Sequence, residues 1–220
     1  MREPDSFHGW VWTLSGAASR QLRAAQSPVT IWLVGTILVV FGAQVATSVT
    51  TGVPVGVATT HLFYVRPGLA WVLSPLLHRG PMHAATNALL IGYLGRLVEG
   101  HFGTRAYAAF LVAATVGSVT GGYLAIVAFR SGPVAAYGAS GIGFALAGYS
   151  LQYPFRTDPT PAEWLAAIVG VSAVATVVVD VATGPFFGPL WINGAHAVGL
   201  ALGVIAGRLR PPFARRDRTP

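Results

Sequence analysis

Apolar residues gather into long runs along this chain, and the runs are separated by short stretches rich in Pro, Gly and Arg. Six runs predict helices. The first covers about Val29 to Thr50, with Ser27 as its N-cap and Pro28 as its first helical residue. The second covers about Pro81 to Gly100, and the third about Thr104 to Phe129. The fourth covers about Ser140 to Pro154. The fifth covers about Pro161 to Val181 and opens with a T-x-x-E capping box, Thr160 to Glu163. The sixth covers about Gly194 to Gly207. Between the first two, Thr51 to Gly80 is too broken by Pro and Gly, and too polar at Arg66 and Arg79, for a clean span. Its "FYVRPGLAWVLSPLL" reads as an interfacial or re-entrant loop with aromatic anchors.

Composition turns these runs into membrane helices. Of 220 residues, 53% are hydrophobic and only 10% charged, with mean hydropathy +0.60. Soluble domains carry about 25% charged residues. The fold class expected is an all-α polytopic membrane protein of six transmembrane helices with a partly embedded first loop. The expected organisation is an N-terminal segment over 1–28, a membrane domain over 29–207 and an arginine-rich tail over 208–220. No signal peptide is expected, because Met1 to Gln26 is polar. Cysteine is absent, which excludes thiolate catalysis, disulfides and cysteine-ligated metals.

The charge is arranged as well as sparse. Net charge is +7, and all the basic residues are arginine. Six spans place Arg2, Arg20, Arg23, Arg96, Arg105, Arg156 and the tail arginines Arg208, Arg210, Arg215, Arg216 and Arg218 on one side. Arg66, Arg79 and Arg130 fall on the other. By the positive-inside rule both termini belong in the cytoplasm. The tail reads as an anchor at anionic lipid headgroups. Nucleic acid is not an expected partner, since aromatic residues do not interleave with the arginines beyond Phe213.

The fourth and sixth runs are short. Fifteen helical residues span roughly 22 Å against a hydrocarbon core of about 30 Å. Non-helical chain must complete such a path, and only where it is buried in protein or lines water. "SGPVAAYGA", before Ser140, is the candidate.

Polar residues inside a membrane are costly and suggest function. Here they are His83, Asn87, Ser140, Asn193 and His196. Counted back from Arg156, Ser140 lies roughly 24 Å up its helix. His196 lies roughly 18 Å from Arg208, and His83 roughly 20 Å from Arg96. They share a depth nearer the outer face. Each also has a plain structural reading. Ser140 could bond back to its own helix, His196 and Asn87 could join helices, and His83 could hydrate at the interface. His78 is expected on the loop and wet, and His8, His61 and His101 in polar flanks. A metal site is not expected, for no H-E-x-x-H and no nearby carboxylate accompany the histidines.

Two stripes of small residues bear on the choice. Ala195, Gly199, Gly203 and Gly207 repeat every four residues on the sixth run, and Ala139, Gly143 and Ala147 on the fourth. If these faces pack together, Ser140 and His196 meet at hydrogen-bond range as a nucleophile and its base. Gly138 and Gly141 would leave room for a substrate backbone.

These residues resemble the rhomboid family of intramembrane serine proteases. "YGASGIGFALAGY" is similar to the family's G-x-S-x motif, with Ser140 as nucleophile. "NGAHAVGLALG" is similar to its A-H-x-x-G-x-x-x-G motif, with His196 as base and Gly199 in the repeat. "HRGPMHAATN" is similar to its H-x-x-x-N motif, with His83 and Asn87 supporting the oxyanion. The resemblance covers roughly Val29 to Gly207. Three features depart from it or qualify it. The family's Trp-Arg pair is missing from the first loop, where Leu69 and Ala70 precede Trp71. Phe144 stands where many relatives have Tyr, and would pack against His196 without offering a hydroxyl. Glu99 occupies a place where relatives often have glutamate, and reads as structural.

The resemblance implies a Ser–His dyad, no cofactor, and single-span membrane proteins as substrates, in a prokaryotic plasma membrane. No aspartate is expected near enough for a triad, with Asp180 placed at the far end of the fifth run. Asn193, one turn before His196, would orient substrate or loop. The competing readings are an inactive rhomboid-like protein that binds membrane clients, and a small transporter. The transporter would require paired repeats with broken helices, and no such repeat is found.

Overall fold

Proline opens four of the helices, where its missing N–H costs nothing and its fixed φ suits the first turn. The computed structural model describes residues 27–129, 137–183 and 194–210. Within them lie α1 (Pro28–Thr51), α2 (Val55–Val65), α3 (Pro67–Leu73), α4 (Pro81–Phe102), α5 (Thr104–Phe129), α6 (Ser140–Ser150), α7 (Pro161–Thr183) and α8 (Gly194–Leu209), with a 3-10 turn over Tyr153–Phe155. Among the described residues there is no strand. The fold is an all-helical membrane bundle. Three helices are long and apolar enough to cross a bilayer by themselves: Pro28–Thr51, Thr104–Ala125 and Pro161–Ala182. Their outward faces carry exposed large apolar side chains such as Trp32, Val39, Val116, Ile168 and Val171. Water would penalise such faces and lipid does not.

The stretch between the first two spans folds as the short helices α2 and α3. Phe63, Ala70 and Leu77 form a small core of their own, with Trp71 and Tyr137 packed against it. Trp71 meets Phe63 edge-on at 5.5 Å and Tyr123 of α5 at 5.3 Å. The loop is therefore tied to the bundle by aromatic contacts.

Two acidic side chains fasten the end of the bundle where α1 and α7 begin. Ser27 occupies the N-cap position but makes no capping bond there. Its hydroxyl accepts from Arg96 Nε at 3.1 Å instead. The buried Glu99 carboxylate caps α1 from α4. It accepts from Val29 N–H at 3.1 Å, Thr30 N–H at 3.0 Å and Thr30 Oγ1 at 2.8 Å. These are first-turn amides that the helix cannot satisfy internally, and its positive end favours the anion. At α7 the capping box forms: Thr160 N–H donates to Glu163 Oε2 at 2.8 Å, and Glu163 N–H to Thr160 Oγ1 at 3.3 Å. Glu163 also pairs with Arg156 and lies 3.3 Å from His101 Nε2. His101 is thus part of a partly buried ionic cluster, not a free polar flank.

Helix α6 lies at the centre. It is eleven residues long, roughly 16 Å, and neighbours enclose it on every side. Leu90 of α4 fills the space beside Gly143, Ser118 of α5 the space beside Gly141, and the Ala147 carbonyl faces Gly170 of α7. The tightest approach is to α8. A β-carbon at Gly203 would collide with the Ala145 carbonyl, one at Gly199 with the Gly141 carbonyl, and one at Gly148 with the Leu200 carbonyl. The α8 stripe Gly199–Gly203–Gly207 thus makes the contact, but its partner on α6 is Gly141–Ala145–Gly148. Of the other stripe, Gly143 faces Leu90 of α4 and the Ala147 carbonyl faces Gly170 of α7 instead. Helix α8 is held from its other side by α5, where Gly117, Gly121 and Gly122 receive Leu202, Val198 and Ala195.

Candidate active site

Ser140 is the first residue of α6, and its position depends on the turn before it. Gly138 takes φ +124, a conformation that side-chain-bearing residues rarely adopt. Its N–H donates to the Ser74 carbonyl at 2.8 Å, which joins the turn to the end of α3. Tyr137 continues the link, with its hydroxyl 3.3 Å from Thr60 Oγ1 of α2. Residues 131–136, most of the segment expected to dip into the membrane, lie outside the described residues.

His196 sits in the first turn of α8. The close α6–α8 packing brings its Nε2 to 2.9 Å from Ser140 Oγ. The Phe144 ring lies flat on the imidazole, with centroids 4.0 Å apart and planes 5° from parallel. Phe144 is one turn after Ser140, so a single helix presents both the hydroxyl and the surface that fixes the ring opposite it. This geometry suits proton transfer from Oγ to Nε2.

His83 and Asn87 lie one turn apart on α4. The His83 ring is packed against the turn before Ser140: a β-carbon on Gly138 would stand 2.6 Å from its Cε1 and 2.8 Å from its Nε2. Its Nδ1 accepts from Arg79 N–H at 3.5 Å. Asn87 is buried, and its Nδ2 donates to the His83 carbonyl at 2.9 Å. An amide nitrogen carries two donors, so one remains for another acceptor.

Several expectations need correction. Gly138 and Gly141 do not leave open space for a substrate backbone. His83 fills the volume beside Gly138, and Ser118 fills that beside Gly141, with Ser118 Cβ 2.5 Å from a would-be β-carbon. These glycines let the protein's own side chains approach. Gly199 acts likewise between α8 and α6. His78 is not wet but fully buried. Gln44 of α1 clamps its backbone, donating to His78 O at 3.1 Å and accepting from His78 N–H at 3.0 Å. The His78 ring lies 5.2 Å from that of His83. Asn193 lies outside the described residues.

The largest correction concerns Asp180. It is not remote from the site: its Oδ2 lies 3.6 Å from His196 Nδ1. The far end of the fifth run is the end at which Ser140 and His196 sit. Counting residues would have found it, for Asp180 is seventeen residues beyond Glu163, roughly 26 Å along the helix. That matches the depth reckoned for Ser140 from Arg156.

The fold and the site together define a polytopic membrane protein with a half-buried serine–histidine pair at one end of a central short helix. The sequence model of the rhomboid domain matches residues 65–212, well over half of the chain. The chain belongs to the rhomboid family. Comparison with curated proteins finds no match.

Proposed function

We propose that this chain is an active intramembrane serine endopeptidase that cleaves transmembrane segments of other membrane proteins through an acyl-enzyme. The observation that carries the reading is the 2.9 Å approach of Ser140 Oγ to His196 Nε2. His196 accepts the Ser140 proton as the oxygen attacks a peptide carbonyl, and then gives that proton to the leaving amine. Water hydrolyses the ester by the same route. The developing oxyanion lies at the start of α6, where the first amides have no acceptor in their own helix and the dipole favours negative charge. The Ser140 N–H and the free donor of Asn87 are suited to meet it, with His83 beside them.

A helical substrate hides its carbonyls in its own hydrogen bonds, so a single-span substrate must unwind locally at the cut. Water needs access from the Ser140 end. The arginine asymmetry supports an orientation with the opposite end, and both termini, in the cytoplasm, and the membrane proposed is a prokaryotic plasma membrane.

The test is labelling of the detergent-solubilised protein with a fluorophosphonate, followed by cleavage of a transmembrane substrate. Wild type should label and cleave, while Ser140→Ala and His196→Ala should do neither. Equal labelling of wild type and Ser140→Ala would overturn the nucleophile assignment. Folded wild type that never labels would point to the inactive, client-binding relative.

A further inference from the structure

We infer that Asp180 is a positioning residue for His196, setting the tautomer and orientation of the imidazole that pairs with Ser140. The inference deepens the protease reading and rests on it for its catalytic meaning. Three observations carry it.

The first is placement. Of the acidic residues described, Glu99 caps α1, Glu163 caps α7, and Asp158 lies in the turn before α7. All three belong to the opposite end of the bundle. Asp180 alone, among the described residues, stands at the end that carries Ser140. Its side chain is about a third exposed in the last turn of α7, and a carboxylate near the edge of the membrane still gains from a partner. Among the described residues, the ion pair it makes is with His196, at 3.6 Å.

The second is the nitrogen it faces. Oδ2 approaches Nδ1, while Ser140 approaches Nε2 from the other edge of the ring. A carboxylate at Nδ1 favours the tautomer with its proton there, which leaves the Nε2 lone pair free to accept from the hydroxyl. At 3.6 Å the contact is longer than a hydrogen bond. Catalytic contacts are often long without substrate and tighten when it binds.

The third is the division of labour around the imidazole. Phe144 holds the ring plane through its face. Stacking does not distinguish the two nitrogens, and an edge-on anion does. In the reacting step, the Oγ–H bond breaks as the oxygen forms its bond to the carbonyl carbon. The proton passes to Nε2, and the carbonyl π pair moves onto oxygen. Asp180 stays ionised and faces the resulting imidazolium. Among the described residues, His83 of α4 also lies within electrostatic reach of His196; an imidazole there offers the imidazolium no such stabilisation.

The experiment combines nitrogen-15 histidine NMR in micelles, with His196 assigned by His196→Gln, and fluorophosphonate labelling rates. Wild-type His196 should carry its proton on Nδ1. Asp180→Asn should lower the labelling rate at least about tenfold, and Asp180→Glu should restore most of it. A proton on Nε2 in wild type would overturn the inference. So would an Asp180→Asn protein with unchanged tautomer and rate. If Asp180→Asn fails to fold, the wild-type tautomer and the Asp180→Glu rate still decide. A wild type that never labels, yet whose tautomer depends on Asp180, supports this inference and overturns the protease reading.

Discussion

The Gly203 α-carbon lies so close to the Ala145 carbonyl that no β-carbon fits between them. This contact, repeated one turn away at Gly199 and Gly141, sets how closely α8 approaches α6. It therefore sets the distance from His196 to Ser140. In a membrane, where lipid is as apolar as leucine, such backbone proximity is a main source of helix association.

Gly203→Val should part the two helices. Over-packing of this kind typically costs 1–3 kcal/mol, and the backbone clash places it at or above the upper end, about 3 kcal/mol. Thermal unfolding in detergent should show a lower midpoint, and Ser140 labelling should fall more steeply than the folded fraction. Full labelling at wild-type stability would mean that the α6–α8 contact does not govern the pair.

Phe144 offers the His196 ring a flat apolar face. Phe144→Tyr should keep the stack, whereas Phe144→Ala should free the ring. Aromatic pairs are worth about 1 kcal/mol beyond area, so turnover should drop by about fivefold in the alanine protein. The ratio of kcat values for the two variants checks this. A rise in KM alone would place Phe144 against substrate instead of against the base.

Glu99 joins α4 to the start of α1 through three hydrogen bonds. Glu99→Ala should destabilise the protein by about 3 kcal/mol, as loss of buried, charge-assisted bonds does. The site lies at the other end of the bundle, so labelling per folded molecule should stay near the wild-type value. Denaturant unfolding alongside labelling separates the two effects.

How much was readable beforehand differed by element. The span from Thr104 to Phe129 appears in the sequence at both of its ends, because a helix in lipid must stay apolar over its whole length, and Gly103 on one side and Arg130, Gly132 and Pro133 on the other interrupt the run. The Thr160–Glu163 capping box was equally plain, since its bonds are local. His78 was misjudged as wet because its burial depends on Gln44, thirty-four residues earlier. Ser27 holds the N-cap position that the sequence indicated, but Arg96 takes its hydroxyl and Glu99 caps the first turn in its place, both from another helix.

By itself the sequence determined six apolar runs and the shared depth of Ser140 and His196, since lipid imposes continuous apolarity and a fixed rise per residue makes depth countable; the helix of the fourth run, α6, ends at Ser150, short of the expected Pro154. Only the tertiary structure decided which face of α6 receives α8. Glycine and alanine occupy several faces of that helix, so spacing alone permits more than one stripe, and the choice falls to packing among four neighbours. The same packing turns Asp180 toward His196. Its depth was countable, but its direction around the helix axis depends on how α7 is rotated against α8, and that rotation is set by contacts between residues far apart in the chain.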